Sequence, residues 1–233
     1  MDLREIRRKV AEEIALFERV IPTVTADIGV VWVLSGSGTY LKPYLPGDPP
    51  HHLWSDQRRI SKGFLMVLQV TALRLGKSLQ EIERSDVHIQ GPMLVYNGTP
   101  THNADLMAVL DLPNGLIPKS KVFIIEEVKD RSGESRLIRN TLDQILSFPT
   151  DQIGYQLSGA VAIVSSAPHL PRILRYLGKY RPIPDAVPIR CFPVLPDPEW
   201  SKQFAEEEIN RVCEYLQQGY LTAAPYPKNL GIG

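Results

Sequence analysis

Apolar residues are spaced along this chain in two alternating rhythms. Leu3, Ile6, Val10, Ile14 and Phe17 recur at intervals of three and four, which predicts an amphipathic helix over 2–20, capped by Asp2 and closed by Pro22. Positions 30–34 then form an uninterrupted run, Val-Val-Trp-Val-Leu. A β-branched and aromatic run of this kind suits a strand buried on both faces. Ile60, Phe64, Val67, Leu68 and Leu75 give a second helix, with Ser55 or Asp56 as its cap and Gly76 at its end. Ser78 and Glu81 have capping-box spacing for a short third helix.

The alternation continues to the end of the chain. Strands are predicted at 92–96, 121–125 and 159–164, with a fifth extended segment at 189–195. Pro193 suits an edge strand, because proline cannot donate to the ladder. Helices are predicted from Asn103 or Asp105 through Met107, Val109 and Leu110, and over Ile138, Leu142, Ile145 and Leu146 with these four facing inward. Two more run from Pro168 through Ile173, Leu174 and Leu177 to Gly178, and from Trp200 to Gln218, the latter capped by Gly219. The charged stretch 129–136 reads as a solvated loop. The stretch 41–52 carries Pro43, Pro46, Pro49, Pro50 and Gly47, so it reads as a long surface loop able to act as a lid, mobile without ligand.

Strands that alternate with helix-length connections predict an α/β fold, with a mostly parallel sheet of about five strands covered on both faces. Neither a repeat nor a linker interrupts 1–233, so one domain is expected. Ligands of such sheets bind outside the carboxyl ends of the strands. The residues found there are Ser35-Gly36-Ser37-Gly38, Asn97-Gly98-Thr99, Glu126-Glu127 and Ser165-Ser166, with His169 just beyond. Small, hydroxyl-bearing and charged groups at every strand end point to one converging site. Glycines there let backbone amides approach a ligand closely.

Composition changes this picture only a little. The chain has 233 residues, with 26 basic and 26 acidic side chains and no net charge. Bulk charge therefore does not direct it to nucleic acid. Cys191 and Cys213 are too few for a disulfide framework and read as free thiols of a reducing, cytoplasmic compartment. No stretch reads as a signal peptide or membrane anchor. His51-His52, His88, His102 and His169 lack ligand spacing, so no metal site is expected. Ser35-Gly36-Ser37-Gly38 fits neither a nucleophile elbow nor a complete dinucleotide fingerprint.

The strand-end residues also carry a resemblance. Gly36 and Gly38 follow the first strand, and Arg58 or Arg59 lies on the next helix. Glu126 or Glu127 ends the third strand, followed by Asn140-Thr141 and the segment Ser166-Ala167-Pro168-His169-Leu170-Pro171-Arg172. The closing helix contains Glu208-Ile209-Asn210-Arg211 through Tyr215 to Gly219. In this order, over about 28–220, the chain resembles the YdcF-like family, which includes SanA and ElyC and carries a domain of unknown function. Asn97-Gly98-Thr99 stands in place of that family's Ser-Gly-Gly, Asn103-Ala104 in place of Glu-Ala, and Gln144 in place of its second Asn. The change at Asn103 removes a carboxylate able to serve as acid, base or ribose partner.

The resemblance implies a Rossmann-like three-layer sandwich and a small-molecule ligand, with S-adenosylmethionine as a possible cofactor. His169, Glu126 and Glu127 are the expected acid–base residues. Ser35, Gly36, Ser37, Gly38, Arg58, Arg59, Asn97, Gly98, Thr99, Asn103, Asn140, Thr141, Ser165, Ser166 and Arg172 are the expected ligand-binding residues. His169 and Arg172, one helical turn apart, are expected to face one phosphate or carboxylate, with Arg58 or Arg59 approaching from the other side. Two classes of function fit: an enzyme acting on a nucleotide-like or phosphate- or carboxylate-bearing molecule, and a non-catalytic ligand sensor or interaction module on the same fold. The oligomeric state is left open.

Overall fold

The run at 30–34 lies within β1 (Ile28–Leu34), whose seven residues are all buried. A computed structural model describes residues 2–35, 51–98, 106, 115–129, 132–196 and 198–226. The stretch 36–50, with most of the expected lid, lies outside the described residues. So does the helix expected near 103–110, apart from Leu106, which is helical and buried.

β1 forms the middle of a five-stranded parallel sheet. On one side it pairs with β2 (Met93–Asn97), setting Val30 against Met93 and Leu34 against Asn97. Beyond β2 lies β3 (Val122–Ile125). Two further strands, β4 (Glu127–Lys129) and β5 (Ser135–Leu137), form a separate hairpin. On β1's other side runs β6 (Ala160–Ser166), with β7 (Ile189–Val194) outermost. Pro193 thus sits on an edge strand, where a missing N–H is tolerated. The strand order is β3-β2-β1-β6-β7. The chain builds outward from β1 to β3, returns past the centre, and builds outward again through β6 and β7. The topological switch point is therefore the crevice between the carboxyl ends of β1 and β6.

Alternate side chains of the central strands enter two separate cores. Val30, Trp32, Leu34, Val161 and Ile163 pack with Ile6, Val10, Ile14 and Phe17 of α1 (Leu3–Arg19). The same core takes Ile173, Leu174 and Leu177 of α5 (Leu170–Tyr180), and Val212 and Leu216 of α6 (Pro198–Gln217). Val31, Val33, Ala162 and Val164 pack instead with Met66, Val67 and Val70 of α2 (His51–Leu75) and Val87 of α3 (Arg84–Gln90). Helices on both faces of a parallel sheet make this a three-layer, Rossmann-like α/β fold. α2 lies close against the sheet at Gly63, where an added Cβ would stand 2.4 Å from Val33 Cγ2. The short, stiff valine cannot swing away from such a contact.

Several local expectations are corrected. α2 starts at His51, so His51-His52 belong to a helix rather than to the proline-rich loop, and Ser55 and Asp56 lie inside it. Ser78 and Glu81 enclose only a 3₁₀ turn, in which Glu81 accepts from the Ser78 N–H and hydroxyl. The helix α3 follows separately. The stretch 129–136 is not simply a solvated loop. Its ends pair as an antiparallel hairpin of β4 (Glu127–Lys129) and β5 (Ser135–Leu137). Val128 buries its side chain there, and Arg136 grips the buried Asp143 with two bonds of 2.6 and 2.5 Å. α4 (Thr141–Leu146) leaves Leu146 exposed and buries Thr141, Asp143 and Gln144 instead. α5 opens at Leu170, after a 3₁₀ turn that holds Pro168, and continues past Gly178 to Tyr180. Among the described residues, no helix is long and apolar enough to cross a membrane. Cys191 and Cys213 are both free thiols.

Candidate functional site

The site is assembled at the carboxyl ends of β1, β2 and β6. β1 hands over to Ser35, β2 ends on Asn97 with Gly98 after it, and β6 ends on Ser165 and Ser166. Ser35, Asn97 and Ser165 are buried, and Ser166 is half-buried. Because successive strand residues point to opposite faces, Ser165 joins the layer of α5 while Ser166 turns toward α2.

Arg59 of α2 meets Ser166 there. Its guanidinium donates to Ser166 Oγ at 3.1 Å and reaches the Leu34 carbonyl at 3.5 Å. One cation thus spans the ends of β1 and β6, at the switch point, with only 5% of its surface exposed. Gly63 lies one turn further along α2. Its close packing on Val33 brings this part of the helix down onto the sheet. Of the two adjacent arginines, Arg59 is the buried one at the strand ends and Arg58 is exposed.

From the opposite layer, α4 reaches across the ends of β1 and β2. The Gln144 side-chain amide nitrogen donates to the Ser35 carbonyl at 3.1 Å, to Ser35 Oγ at 2.8 Å and to the Asn97 carbonyl at 2.9 Å. Asn97 in turn accepts from the Trp32 indole N–H at 3.2 Å and donates to the Gln144 backbone carbonyl at 2.7 Å. Every polar end of Asn97 is thereby used inside the protein. Asn140 is exposed and caps α4, accepting from the Asp143 N–H at 3.0 Å.

A second polar cluster lies behind Ser165. His169 Nδ1 is 3.1 Å from Ser165 Oγ, and its Nε2 is 3.0 Å from Thr141 Oγ1. Thr141 also accepts from Arg172 at 3.1 Å. Arg172 closes on Glu208 of α6 with two bonds, at 2.7 and 3.0 Å, and Arg211 adds a third cationic contact to Glu208 at 2.7 Å. His169, Arg172, Thr141 and Glu208 are all buried. Burial holds the His169 imidazole well below its ordinary pKa, helped by the charge of Arg172 and only partly opposed by Glu208. It is therefore neutral at pH 7. Burial by itself raises the Glu208 carboxyl, but Arg172 outweighs it by charge and hydrogen bonds, and the group lies well below the usual carboxylate range.

The expectation that His169 and Arg172 present their donors to an anion is corrected by this arrangement. The Arg172 fork is filled by Glu208, and both nitrogens of His169 are engaged by neighbouring hydroxyls. Glu126 and Glu127 are both exposed, Glu126 beyond the end of β3 and Glu127 at the start of β4. Gly36, Ser37, Gly38, Thr99 and Asn103 lie outside the described residues. Among the described residues, no group of three or more His, Cys, Asp or Glu side chains is placed to hold a metal.

Glu208 and Gln144 were not among the expected site residues, though each left a trace in the sequence. Glu208 stands four residues from both Phe204 and Val212, inside the apolar stripe of its helix. An acid in such a stripe needs a buried cation as partner. Gln144 lies three residues after Thr141, on the same helical face. No family model matches the chain, and neither does any curated protein or solved structure.

Proposed function

We propose that this protein binds a small molecule bearing a phosphate or carboxylate at the switch point between β1 and β6, with Arg59 as the cation that holds the anion. The observation that carries the reading is the position of Arg59. It is buried, fixed by a strand-end carbonyl and a hydroxyl, and placed where ligands of open α/β sheets bind. A guanidinium offers five N–H donors in a fixed fork, suited to two-point contact with a carboxylate or phosphate. Ser166 supplies a hydroxyl beside it.

The resemblance to the YdcF-like family extends this reading to S-adenosylmethionine, whose carboxylate is an anion of the required kind. In an enzymatic form of the reading Glu126 or Glu127, exposed at the β3 edge, supplies the acid or base, because His169 is enclosed. In a sensor form neither carboxylate is needed. Turnover of a bound ligand, and its loss in Glu126→Gln or Glu127→Gln, separates the two.

The test is ligand-dependent thermal stabilisation followed by calorimetry. The panel holds inorganic phosphate, a nucleoside monophosphate, a sugar phosphate and S-adenosylmethionine, and the proteins are wild type, Arg59→Met and Arg58→Ala. A bound ligand raises the melting temperature by mass action. Arg59→Met is expected to weaken anion binding by about 1.5–3 kcal/mol, the range for a hydrogen bond to a charged group, while Arg58→Ala leaves it unchanged. Wild-type affinity in a folded Arg59→Met protein overturns the reading.

A further inference from the structure

The Gln144 side-chain amide is used on one side only. Its nitrogen faces two carbonyl oxygens and the Ser35 hydroxyl, while its oxygen, Oε1, is buried and has no hydrogen-bond partner among the described residues. Carbonyls only accept, so a flipped amide would set its oxygen against both. The orientation is therefore determined. Gln144 as a whole is 4% exposed, and it is anchored at both ends, since its own backbone carbonyl accepts from Asn97 and from Ser147 Oγ. A well-fixed, buried acceptor without a donor is uncommon, because such a group loses its hydration and gains nothing in return.

Its position gives the atom a use. Gln144 holds the carbonyl of Ser35 from the α4 layer, and Arg59 holds the carbonyl of Leu34 from the α2 layer. Two consecutive residues at the end of β1 are thus gripped from opposite faces, one grip carrying a cation and the other an unmet acceptor. We propose that Gln144 determines specificity at this site: its Oε1 accepts a hydrogen bond from a hydroxyl of the ligand whose anionic group Arg59 holds. The ligand class is a hydroxylated phosphate ester or hydroxylated carboxylate, such as a sugar phosphate, a ribonucleotide or a hydroxy acid. The Arg59 charge at the same strand end favours a neutral hydroxyl donor over an ammonium. This rests on the reading of the switch point as an anion site.

Matched pairs of probes test it: glycerol 3-phosphate against n-propyl phosphate, and glycerate against propionate. Within each pair the anion and the carbon count are the same, and only the hydroxyls differ. Affinities are measured by calorimetry in wild type, Gln144→Met and Arg59→Met. In wild type the hydroxylated member of at least one pair is expected to bind about tenfold more tightly, the scale of one hydrogen bond, and that preference disappears in Gln144→Met. The pair that shows the preference tells phosphate from carboxylate. Equal affinity within both pairs in wild type overturns the proposal without any variant, so it stays decidable if Gln144→Met does not fold. A preference that persists in a folded Gln144→Met also overturns it. Where these probes bind with Arg59 dependence but no hydroxyl preference, the anion site stands and only the role of Gln144 falls. Binding of none of the probes, or binding indifferent to Arg59→Met, overturns both.

Discussion

Two buried arginines lie near the same edge of the sheet and are held in different ways. Arg172 is enclosed by Glu208, with Thr141 and then His169 behind it, and each of these groups has a partner within the protein. Arg59 lies across the switch point, where its contacts include a strand-end carbonyl and a serine hydroxyl, opposite a glutamine whose oxygen is unmet among the described residues. The first region is a brace that ties β6, α4, α5 and α6 together. The second is where the proposed ligand site lies. Motif-like residues on a strand-to-helix turn can therefore serve the fold, while the residues better placed for a ligand come from helices that cross the strand ends.

The largest expected effect is on the brace. Glu208→Gln keeps the shape of the side chain but leaves Arg172 buried without its counter-charge. Loss of one partner from such a pair typically destabilises by about 3–5 kcal/mol, read by urea unfolding. If Arg172 is structural, ligand affinity of the folded fraction does not change. A loss of affinity with little loss of stability would move Arg172 to the recognition side.

Gly63→Ala tests what seats Arg59. The added methyl group meets Val33 Cγ2, and overpacking of this kind costs about 1–3 kcal/mol. Because Arg59 is one turn away, the substitution should also weaken anion binding. Unaltered stability would show that α2 can slide without consequence.

The pH dependence of stability should carry the signature of His169. Its native pKa lies below 6.5, so the unfolded chain takes up this proton first as pH falls. Between 6.5 and the native value the unfolded state binds more protons, and stability declines with falling pH by about 1.4 kcal/mol per pH unit. Glu208 adds a second decline at lower pH, beginning near its unfolded value of 4.5 and ending at its native value of about 2. His169→Gln should remove the first decline and leave the second, as measured by urea unfolding from pH 7.5 to 3. An unchanged profile in His169→Gln would contradict a buried, neutral histidine.

The smallest effect is expected at Asn140. As a helix cap its replacement by alanine typically costs about 1 kcal/mol, and ligand affinity should be unaffected. A change in affinity on that substitution would return Asn140 to the ligand.

Much of the fold could be read from periodicity. The unbroken run at 30–34 is the centre of β1, and Leu3 through Phe17 lie on the buried face of α1, because burial imposes those spacings. The hairpin of β4 and β5 was not legible. Arg136 reads as a solvated charge until Asp143 is folded against it. α3 was missed because Val87 is its one buried residue, too few to set a period. At the site, the small and polar residue types at the strand ends were visible. The choice between Arg58 and Arg59 depends on the phase of a helix that begins at His51 rather than near Ser55. The fate of Arg172 depends on Glu208, 36 residues further along the chain, and pairing at that separation leaves no local pattern.

The contrast between the two arginines is tested most directly by nitrogen–proton NMR during titration with glycerol 3-phosphate. The account predicts that the side-chain amide of Gln144, the Nε–H of Arg59 and the backbone amides of Ser35 and Ser166 shift together with one dissociation constant. The Nε–H of Arg172 and the backbone amides of Ile173 and Glu208 stay in place. Shifts centred on Arg172 and Glu208, with Ser35, Arg59 and Gln144 unmoved, would contradict it.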